Sequence, residues 1–147
     1  PDGWVENKIE ACSICAGCYE QLGQRESALT ALLRSMCFDR PRAELCCEIG
    51  RYFLEQGNYQ NAAYWYEAAL SARRDECLGG FVRPDCHDYI PLTQLCVCYD
   101  RMGETEKAEE YNERAGVCKP YAEAYLHNKQ YFERIREKMR RKVTKEV

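Results

Sequence analysis

The segment Phe53-Leu54-Glu55-Gln56-Gly57-Asn58 indicates the fold, because the pattern centred on Gly57 recurs twice more along the chain. Gly23 lies 34 residues earlier and Gly103 lies 46 residues later. Aligning the three glycines superposes an aromatic residue before each glycine and three further positions after it. The matched sets are Tyr19, Ala28, Leu32 and Ser35; Phe53, Ala62, Tyr66 and Ala69; and Tyr99, Ala108, Asn112 and Ala115. A fixed period of this kind indicates stacked copies of one supersecondary unit.

Each unit has the pattern of two antiparallel helices. The aromatic residue belongs to the first helix, the glycine permits a tight turn, and the later positions line one face of the second helix. The sequence therefore predicts an all-α fold, a right-handed superhelix of three helix hairpins plus a C-terminal capping helix. The predicted helices lie near residues 5–22, 25–38, 42–56, 59–73, 88–102, 105–117 and 121–141.

The chain is expected to form a single helical-repeat domain over residues 1–147. The wider spacing before Gly103 indicates 12 extra residues between the second and third units. Tyr121, Tyr125 and Phe132 recur at helical spacing in the last helix, which is expected to cover the core of the final repeat. The predicted parts are repeats at about 9–42, 43–76 and 89–120, an inserted loop at about 74–88 and a capping helix at about 121–141.

Charge and hydropathy exclude some classes of partner. No apolar run reaches the roughly 18 residues that a membrane-spanning helix needs. Residues 1–118 carry 12 Lys/Arg and 20 Asp/Glu, whereas residues 119–147 carry 9 and 4. This acidic body argues against nucleic acid as the main ligand. The first residues, Pro1-Asp2-Gly3-Trp4, have no signal-peptide pattern, so we expect a cytoplasmic chain cut from a longer protein.

The eleven cysteines favour reduced thiols over a disulfide framework, because their number is odd and their spacing irregular. Reduced cysteine packs as a small hydrophobe and is typical of cytosolic proteins. Cys12, Cys15 and Cys18 are spread around their helix at about 100° per residue and do not converge. Core packing of Cys12 and Cys15 is therefore expected, rather than a metal site.

The inserted loop carries the next candidate site, formed by Cys77, Cys86 and His87. Three nominal ligands without a paired Cys-x-x-Cys are a weak zinc signal, so neither a metal nor another cofactor is predicted. His127 has no nucleophile or acid partner at recognisable spacing. The chain is accordingly predicted not to be an enzyme.

The repeated residues resemble tetratricopeptide repeats over about residues 9–120, and the second unit matches best. Three positions depart from that pattern. Cys12 and Cys46 replace the usual Trp, and Asn112 replaces an aromatic residue. The resemblance implies a non-catalytic scaffold that binds protein or peptide.

A narrower resemblance rests on the inserted Gly79-Gly80-Phe81-Val82-Arg83-Pro84-Asp85 and on Glu110-Tyr111-Asn112-Glu113-Arg114-Ala115-Gly116. Together with neighbouring segments they are similar to the C-terminal repeat region of bacterial family 2 glycosyltransferases, over roughly residues 59–133. In that family a nucleotide-sugar domain precedes the repeats. The resemblance implies a parent glycosyltransferase whose Asp-x-Asp motif lies outside this chain, which has none.

The first helix of each unit is expected to line a concave groove that binds a partner. Groups such as Glu44, Glu48 and Glu55 share one helix face and so suggest groove lining rather than acid–base chemistry. The predicted groove residues are Ser13, Gly17, Glu20, Cys47, Glu48, Arg51, Glu55, Thr93, Gln94, Val97 and Arg101. In the loop, Gly79, Gly80 and Phe81 are further contact candidates.

Tetratricopeptide domains that grip a chaperone C-terminal carboxylate use Lys and Asn in the groove. Here the corresponding positions hold Ser13, Gly17, Glu48, Ile90 and Gln94, so a carboxylate clamp is not expected. Two functions remain open. One is the C-terminal module of a glycosyltransferase that positions acceptor or mediates self-association, to which exposed Tyr59, Tyr64 and Trp65 would contribute. The other is a stand-alone adaptor for a peptide of an unrelated protein.

Overall fold

A computed structural model describes residues 2–74 and 82–145, and within them the prediction of an all-α fold is confirmed. Seven α-helices account for most of these residues, and short turns join the two helices of each pair. The helices are α1 (Asp2–Gln21), α2 (Arg25–Arg34), α3 (Ala43–Glu55), α4 (Tyr59–Ser71), α5 (Tyr89–Arg101), α6 (Thr105–Cys118) and α7 (Glu123–Lys145). Two short 3-10 helices, Ser35–Cys37 and Pro84–His87, follow α2 and precede α5.

The three aligned glycines make the turns inside the helix pairs. Gly23, Gly57 and Gly103 have φ values of 74°, 72° and 83°, the left-handed region that favours glycine. In each turn the residue after the glycine donates its backbone N–H to the carbonyl of the aromatic residue four positions before the glycine. These bonds measure 2.8, 2.9 and 2.9 Å, so one local geometry closes all three pairs.

The aligned positions of the second helices form the core. Ala62, Tyr66 and Ala69 of α4 are at most 2% exposed, and their counterparts in the first and third units are buried as well. Asn112 of α6 is fully buried, and its Nδ2 donates to the Tyr125 carbonyl at 3.3 Å. In the third unit, a polar side chain therefore occupies the position at which the repeat pattern predicts a large residue.

The helix pairs stack in one direction. α1 packs on α2, α3 on α4 and α5 on α6, while α2 also packs on α3 and α4 on α5. Each second helix therefore lies between its own partner and the first helix of the next pair. This repeated relation gives a helical-repeat superhelix.

The capping helix differs from the prediction at its start. α7 packs on α6, and Tyr125 and Phe132 are 8% and 2% exposed. Tyr121 lies in the turn before α7 begins and is 92% exposed, so its expected place in the apolar stripe is wrong. A residue outside the helix does not share the helix face of Tyr125.

The inserted segment is described only from Val82 onward. Its 3-10 helix, Pro84–His87, packs against α3, α4 and α5. The candidate residues Cys77, Gly79, Gly80 and Phe81 lie outside the described residues. Across the described helices, none combines the length and the apolar character that crossing a membrane requires.

Candidate functional site

The predicted groove residues lie on α1, α3 and α5, the first helices of the three pairs, and they divide by exposure. Exposed members are accessible to a partner, and half-buried members are partly covered by the rest of this chain. Buried members are not accessible to a partner. Gly17, Glu20, Glu55 and Arg101 are exposed; Ser13, Glu48, Arg51, Gln94 and Val97 are half-buried; Cys47 and Thr93 are buried.

A network of ion pairs joins the first two helix pairs across this face. Arg51 Nη2 lies 2.7 Å from Glu20 Oε1, and Arg51 Nη1 lies 3.0 Å from Glu55 Oε1. Arg25, at the start of α2, pairs with the same Glu55 carboxylate. Its guanidinium also lies 5.9 Å from the centre of the Tyr52 ring. We call Gly17, Glu20, Arg25, Arg51 and Glu55 the charged groove.

Gly17 precedes Glu20 by one turn of α1 and is exposed. A Cβ built on Gly17 would meet no heavy atom within 4 Å. The space beside the ion pairs is therefore open to a side chain of another molecule.

Glu48 lies one turn before Arg51 on α3. Burial raises the pKa of the Glu48 carboxyl, Arg51 opposes this rise, and the negative charge of Glu20 adds to it. Arg83 lowers this pKa as Arg51 does, and a further cation brought there would favour the ionised Glu48.

The insertion covers the beginning of α3. Glu44 Oε1 accepts a hydrogen bond from the Arg83 backbone N–H at 2.8 Å and lies 3.6 Å from His87 Nε2. The Cys47 thiol donates to the Cys86 carbonyl at 3.4 Å. Cys47 was predicted to line the groove, and the structure instead places its side chain beneath the insertion, where no partner reaches it.

On α5 the predicted residues face different surroundings. The Thr93 hydroxyl donates to the Tyr89 carbonyl at 2.8 Å within its own helix, which satisfies the polar group of this buried side chain. Gln94 and Val97 stay half-buried on the same helix, and Arg101 is exposed at its end. Within the described ranges, Arg101 forms no ion pair with a residue of the charged groove.

Most of the buried cysteines agree with the prediction that cysteine packs in the core of this protein as a small hydrophobic residue. Cys12 is buried, as predicted, but Cys15 is exposed, and its expected core position is wrong. The ten cysteines that the structure describes are free. Burial raises the pKa of Cys46, Cys96 and Cys98 to about 12, so these three thiols stay protonated at neutral pH.

No cluster of three or more metal-ligating side chains occurs among residues 2–74 and 82–145. Cys86 is buried and the His87 side chain is 6% exposed, and the Cys86 side chain interacts with Cys47. His87 Nδ1 has no hydrogen-bond partner within the described chain. Cys77, the third nominal ligand, lies outside it.

Sequence reasoning missed Arg25 and Arg83. Arg25 follows the Gly23 turn directly, a position that the repeat pattern leaves unassigned, although its place at a helix start beside an acidic groove is a usable signal. Arg83 acts through its backbone N–H, which no side-chain pattern reveals.

Comparison with known proteins agrees with this geometry. The sequence profile of the tetratricopeptide repeat matches residues 43–76, the α3–α4 pair and the segment after it. The fold is that of a tetratricopeptide-repeat domain. No curated protein sequence matches the chain.

Two solved tetratricopeptide-type structures show the likeness in shape. The second TPR domain of human RPAP3, solved in complex with the HSP70 peptide SGPTIEEVD, is 14% identical, with a TM-score of 0.65 over 85% of this chain and 98% of that chain. The crystal structure of MamA is 23% identical, with a TM-score of 0.62 over 94% of this chain and 82% of that chain. The repeat fold thus extends well beyond the residues that the profile matches.

Proposed function

We propose that this tetratricopeptide-repeat domain is a non-catalytic scaffold that binds an extended peptide of another protein along the charged groove. The observation that carries the proposal is the open space at Gly17 beside the Arg51 ion pairs. We propose that a peptide side chain entering at Gly17 reaches the Arg51 guanidinium and the carboxylates of Glu20 and Glu55. A peptide with both a basic and an acidic residue therefore matches the site.

The mode of binding differs from the gripping of a terminal carboxylate. The RPAP3 domain is solved with an HSP70 peptide, which supports peptide as the class of ligand. This chain lacks Lys and Asn at the clamp positions, where it has Gly17, Glu48 and Gln94. We therefore assign recognition to internal side chains of the peptide rather than to its C-terminus.

The test uses the full chain and a phage-displayed library of random 12-residue peptides. Selected peptides are expected to bind the unaltered chain and to lose at least about tenfold in affinity for Gly17→Tyr, which fills the groove. The matched control is Gly17→Ala, which leaves the groove open and should bind as before. Circular dichroism confirms that both variants stay folded, and equal binding by Gly17→Tyr would contradict the proposal.

A second candidate function is the C-terminal module of a glycosyltransferase, acting in acceptor positioning or self-association. It is motivated by the insertion before α5, which a simple 34-residue repeat does not contain. The decisive observation is the encoding gene. A sheet-forming domain with an Asp-x-Asp motif upstream of Pro1 supports this candidate, and a start codon near Pro1 contradicts it.

Further parts of the proposal concern location and assembly. We propose a cytoplasmic, reduced protein without cofactor, since buried thiols such as Cys46 and Cys98 act as core hydrophobes. We also propose self-association, although the exposed aromatic surface available for it is smaller than the sequence predicted. Tyr64 is 65% exposed, whereas Trp65 and Tyr59 pack partly on the core clusters. Sedimentation that shows a monomer at high concentration contradicts it.

A further inference from the structure

Two thiols meet where the insertion folds back onto α3. Cys47 belongs to α3, and Cys86 belongs to the 3-10 helix Pro84–His87, 39 residues further along the chain. The Cys47 thiol donates to the Cys86 carbonyl at 3.4 Å, and the two side chains also interact directly. Their exposed fractions are 7% and 2%, so protein encloses both sulfur atoms. We call these two residues the thiol pair.

The thiol pair differs chemically from the other buried cysteines. Burial raises the pKa of Cys46 and Cys96 to about 12, so their thiols are inert near neutral pH. The pKa of Cys86 is lowered instead, because the Cys47 side chain forms a hydrogen bond with it, and the pKa of Cys47 is raised by the same interaction. A lowered pKa increases the share of thiolate, the form of cysteine that reacts with oxidants.

The 3-10 helix that carries Cys86 is fastened on its outer side by exposed ion pairs. Lys119 pairs with Asp85, and Arg74 Nη2 lies 2.7 Å from Asp88 Oδ2. Exposed pairs of this kind contribute little stability. A helix of four residues that is held in this way opens at a lower free energy than the long helices around it. Opening of this one turn is enough to bring a small solute to Cys86.

We propose that the thiol pair is a site of reversible oxidation, at which a hydroperoxide converts Cys47 and Cys86 to a disulfide that fastens the insertion to α3. Both cysteines are free thiols in the structure. In a reducing compartment they stay reduced, and a disulfide there forms only transiently in response to an oxidant. The site needs no occupant in the charged groove, so it does not depend on the peptide binding proposed there.

The reaction balances with one molecule of hydrogen peroxide. The Cys86 thiolate attacks one peroxide oxygen, an S–O bond forms, and the O–O bond breaks to give Cys86 sulfenic acid and hydroxide. Cys47 then loses its proton and attacks the Cys86 sulfur, so that the S–S bond forms and a second hydroxide leaves. The two thiol protons convert the two hydroxides to water. Two electrons thus pass from sulfur to oxygen, and two thiols and one peroxide give one disulfide and two waters.

The bond would act at the edge of the predicted binding surface. The Arg83 backbone N–H already donates to Glu44 of α3 at 2.8 Å, and the charge of Arg83 lowers the pKa of Glu48. The insertion therefore lies beside Glu48 in the reduced protein. Oxidation replaces contacts that can open with a covalent bond at the same place, and closes a loop that contains the whole of α4.

The test measures thiol oxidation in the full chain. Four exposed cysteines that could cross-link different chains are first replaced by serine, namely Cys15, Cys18, Cys37 and Cys118. Seven of the eleven cysteines are then left. After treatment with hydrogen peroxide, titration in urea is expected to find two fewer free thiols per chain, and tandem mass spectrometry is expected to map the bond to Cys47 and Cys86. Dithiothreitol should restore both thiols.

Two further variants in this background form a matched pair, because Cys46 and Cys47 are adjacent and buried on the same helix. Cys47→Ala should abolish the loss of two thiols, whereas Cys46→Ala should keep it. Oxidation should raise the urea midpoint by at least about 0.5 M in the background chain and in Cys46→Ala, and should not raise it in Cys47→Ala. Circular dichroism confirms that the variants are folded, and the mapping in the background chain decides the pairing even where an alanine variant folds poorly.

Three results would overturn the proposal. They are retention of every free thiol under excess peroxide, a bond mapped from Cys86 to Cys46 or Cys77, and an undiminished loss of two thiols in Cys47→Ala. None of these readouts involves a peptide. A failure at the thiol pair is therefore distinguishable from a failure of the proposed function at the charged groove.

Discussion

Arg51 Nη2 of α3 lies 2.7 Å from Glu20 Oε1 of α1, so a single guanidinium connects the first helices of two successive repeats. The same side chain reaches Glu55 one turn later on its own helix. This arrangement holds the groove-facing charges in fixed positions before any partner arrives.

The stability contribution of the Arg51–Glu20 pair is expected to be small. Both side chains are about two-fifths exposed, at 43% and 40%, so water screens the attraction. A double-mutant cycle with Arg51→Met and Glu20→Gln should give a coupling free energy below about 1 kcal/mol in urea unfolding. The coupling should fall further in 1 M salt. A coupling above about 2 kcal/mol would show that the pair is a structural element of the fold.

Gly50 on α3 is predicted to be intolerant of even one methyl group. A Cβ at this position would lie 2.9 Å from Tyr66 Cζ and 3.0 Å from both Cε atoms of the ring. Tyr66 is 2% exposed and has no room to retreat, so Gly50→Ala should lower the free energy of unfolding by about 1–3 kcal/mol. The urea midpoint of the full chain measures this loss.

Gly17→Ala provides the control for that substitution. Gly17 also lies inside a helix, but its added methyl group would enter open space. Removing the entropic cost of a helical glycine should raise stability by about 0.5–1 kcal/mol. A loss of stability in Gly17→Ala would mean that the charged groove is less open than the structure shows.

The local turns and the core positions could be predicted from sequence because each rests on a short-range requirement. The Gly57 turn needs a positive φ, and Ala62 must be small where helices approach closely. Both residue types therefore recur at the same position in each repeat. The burial of Cys47 could not be predicted in this way. It depends on contact with Cys86, 39 residues away, and no helical period encodes where an insertion folds back.

The exposure of Cys15 has a related cause. Its position in the repeat is a core position only if a preceding helix covers it, as α2 covers Ile49. Periodicity assigns the same role to every copy, whereas the surroundings of the first copy differ. The error at Tyr121 is simpler, since the α7 boundary lies two residues further along the chain than the helical spacing suggested.

Alkaline pH is predicted to unfold the protein through its buried thiols. Burial raises the pKa of Cys46, Cys96 and Cys98 from 9.0 to about 12 in the folded chain. Between these values the unfolded chain releases protons that the folded chain keeps, so stability is fully present below pH 9 and falls as pH rises. Each thiol contributes about 1.4 kcal/mol per pH unit, so the three together remove roughly 4 kcal/mol per unit above pH 9.

Urea unfolding at pH 8 to 10.5 (about half-unit steps) measures this dependence. Cys98→Ala should lower stability at pH 8 through its cavity, yet show a shallower decline above pH 9 because one buried thiol is gone. A decline that is just as steep in Cys98→Ala would assign the alkaline transition to other groups.

Asn112 of α6 should be replaceable by an apolar residue at little cost, although it is fully buried. Its Nδ2 makes one hydrogen bond, at 3.3 Å to the Tyr125 carbonyl, while its Oδ1 has no partner among the described residues. Leucine occupies the same repeat position in α2, at Leu32. Asn112→Leu loses one hydrogen bond and removes one unsatisfied acceptor, so its free energy of unfolding should stay within about 1.5 kcal/mol of the original.

Asn112→Asp places an uncompensated charge in the same site and should cost about 3 kcal/mol or more at pH 7, with partial recovery near pH 4 as the carboxyl becomes neutral. Thermal and urea unfolding of the two variants measure the difference, and a leucine variant less stable than the aspartate variant would show that the amide hydrogen bond holds α7 in place.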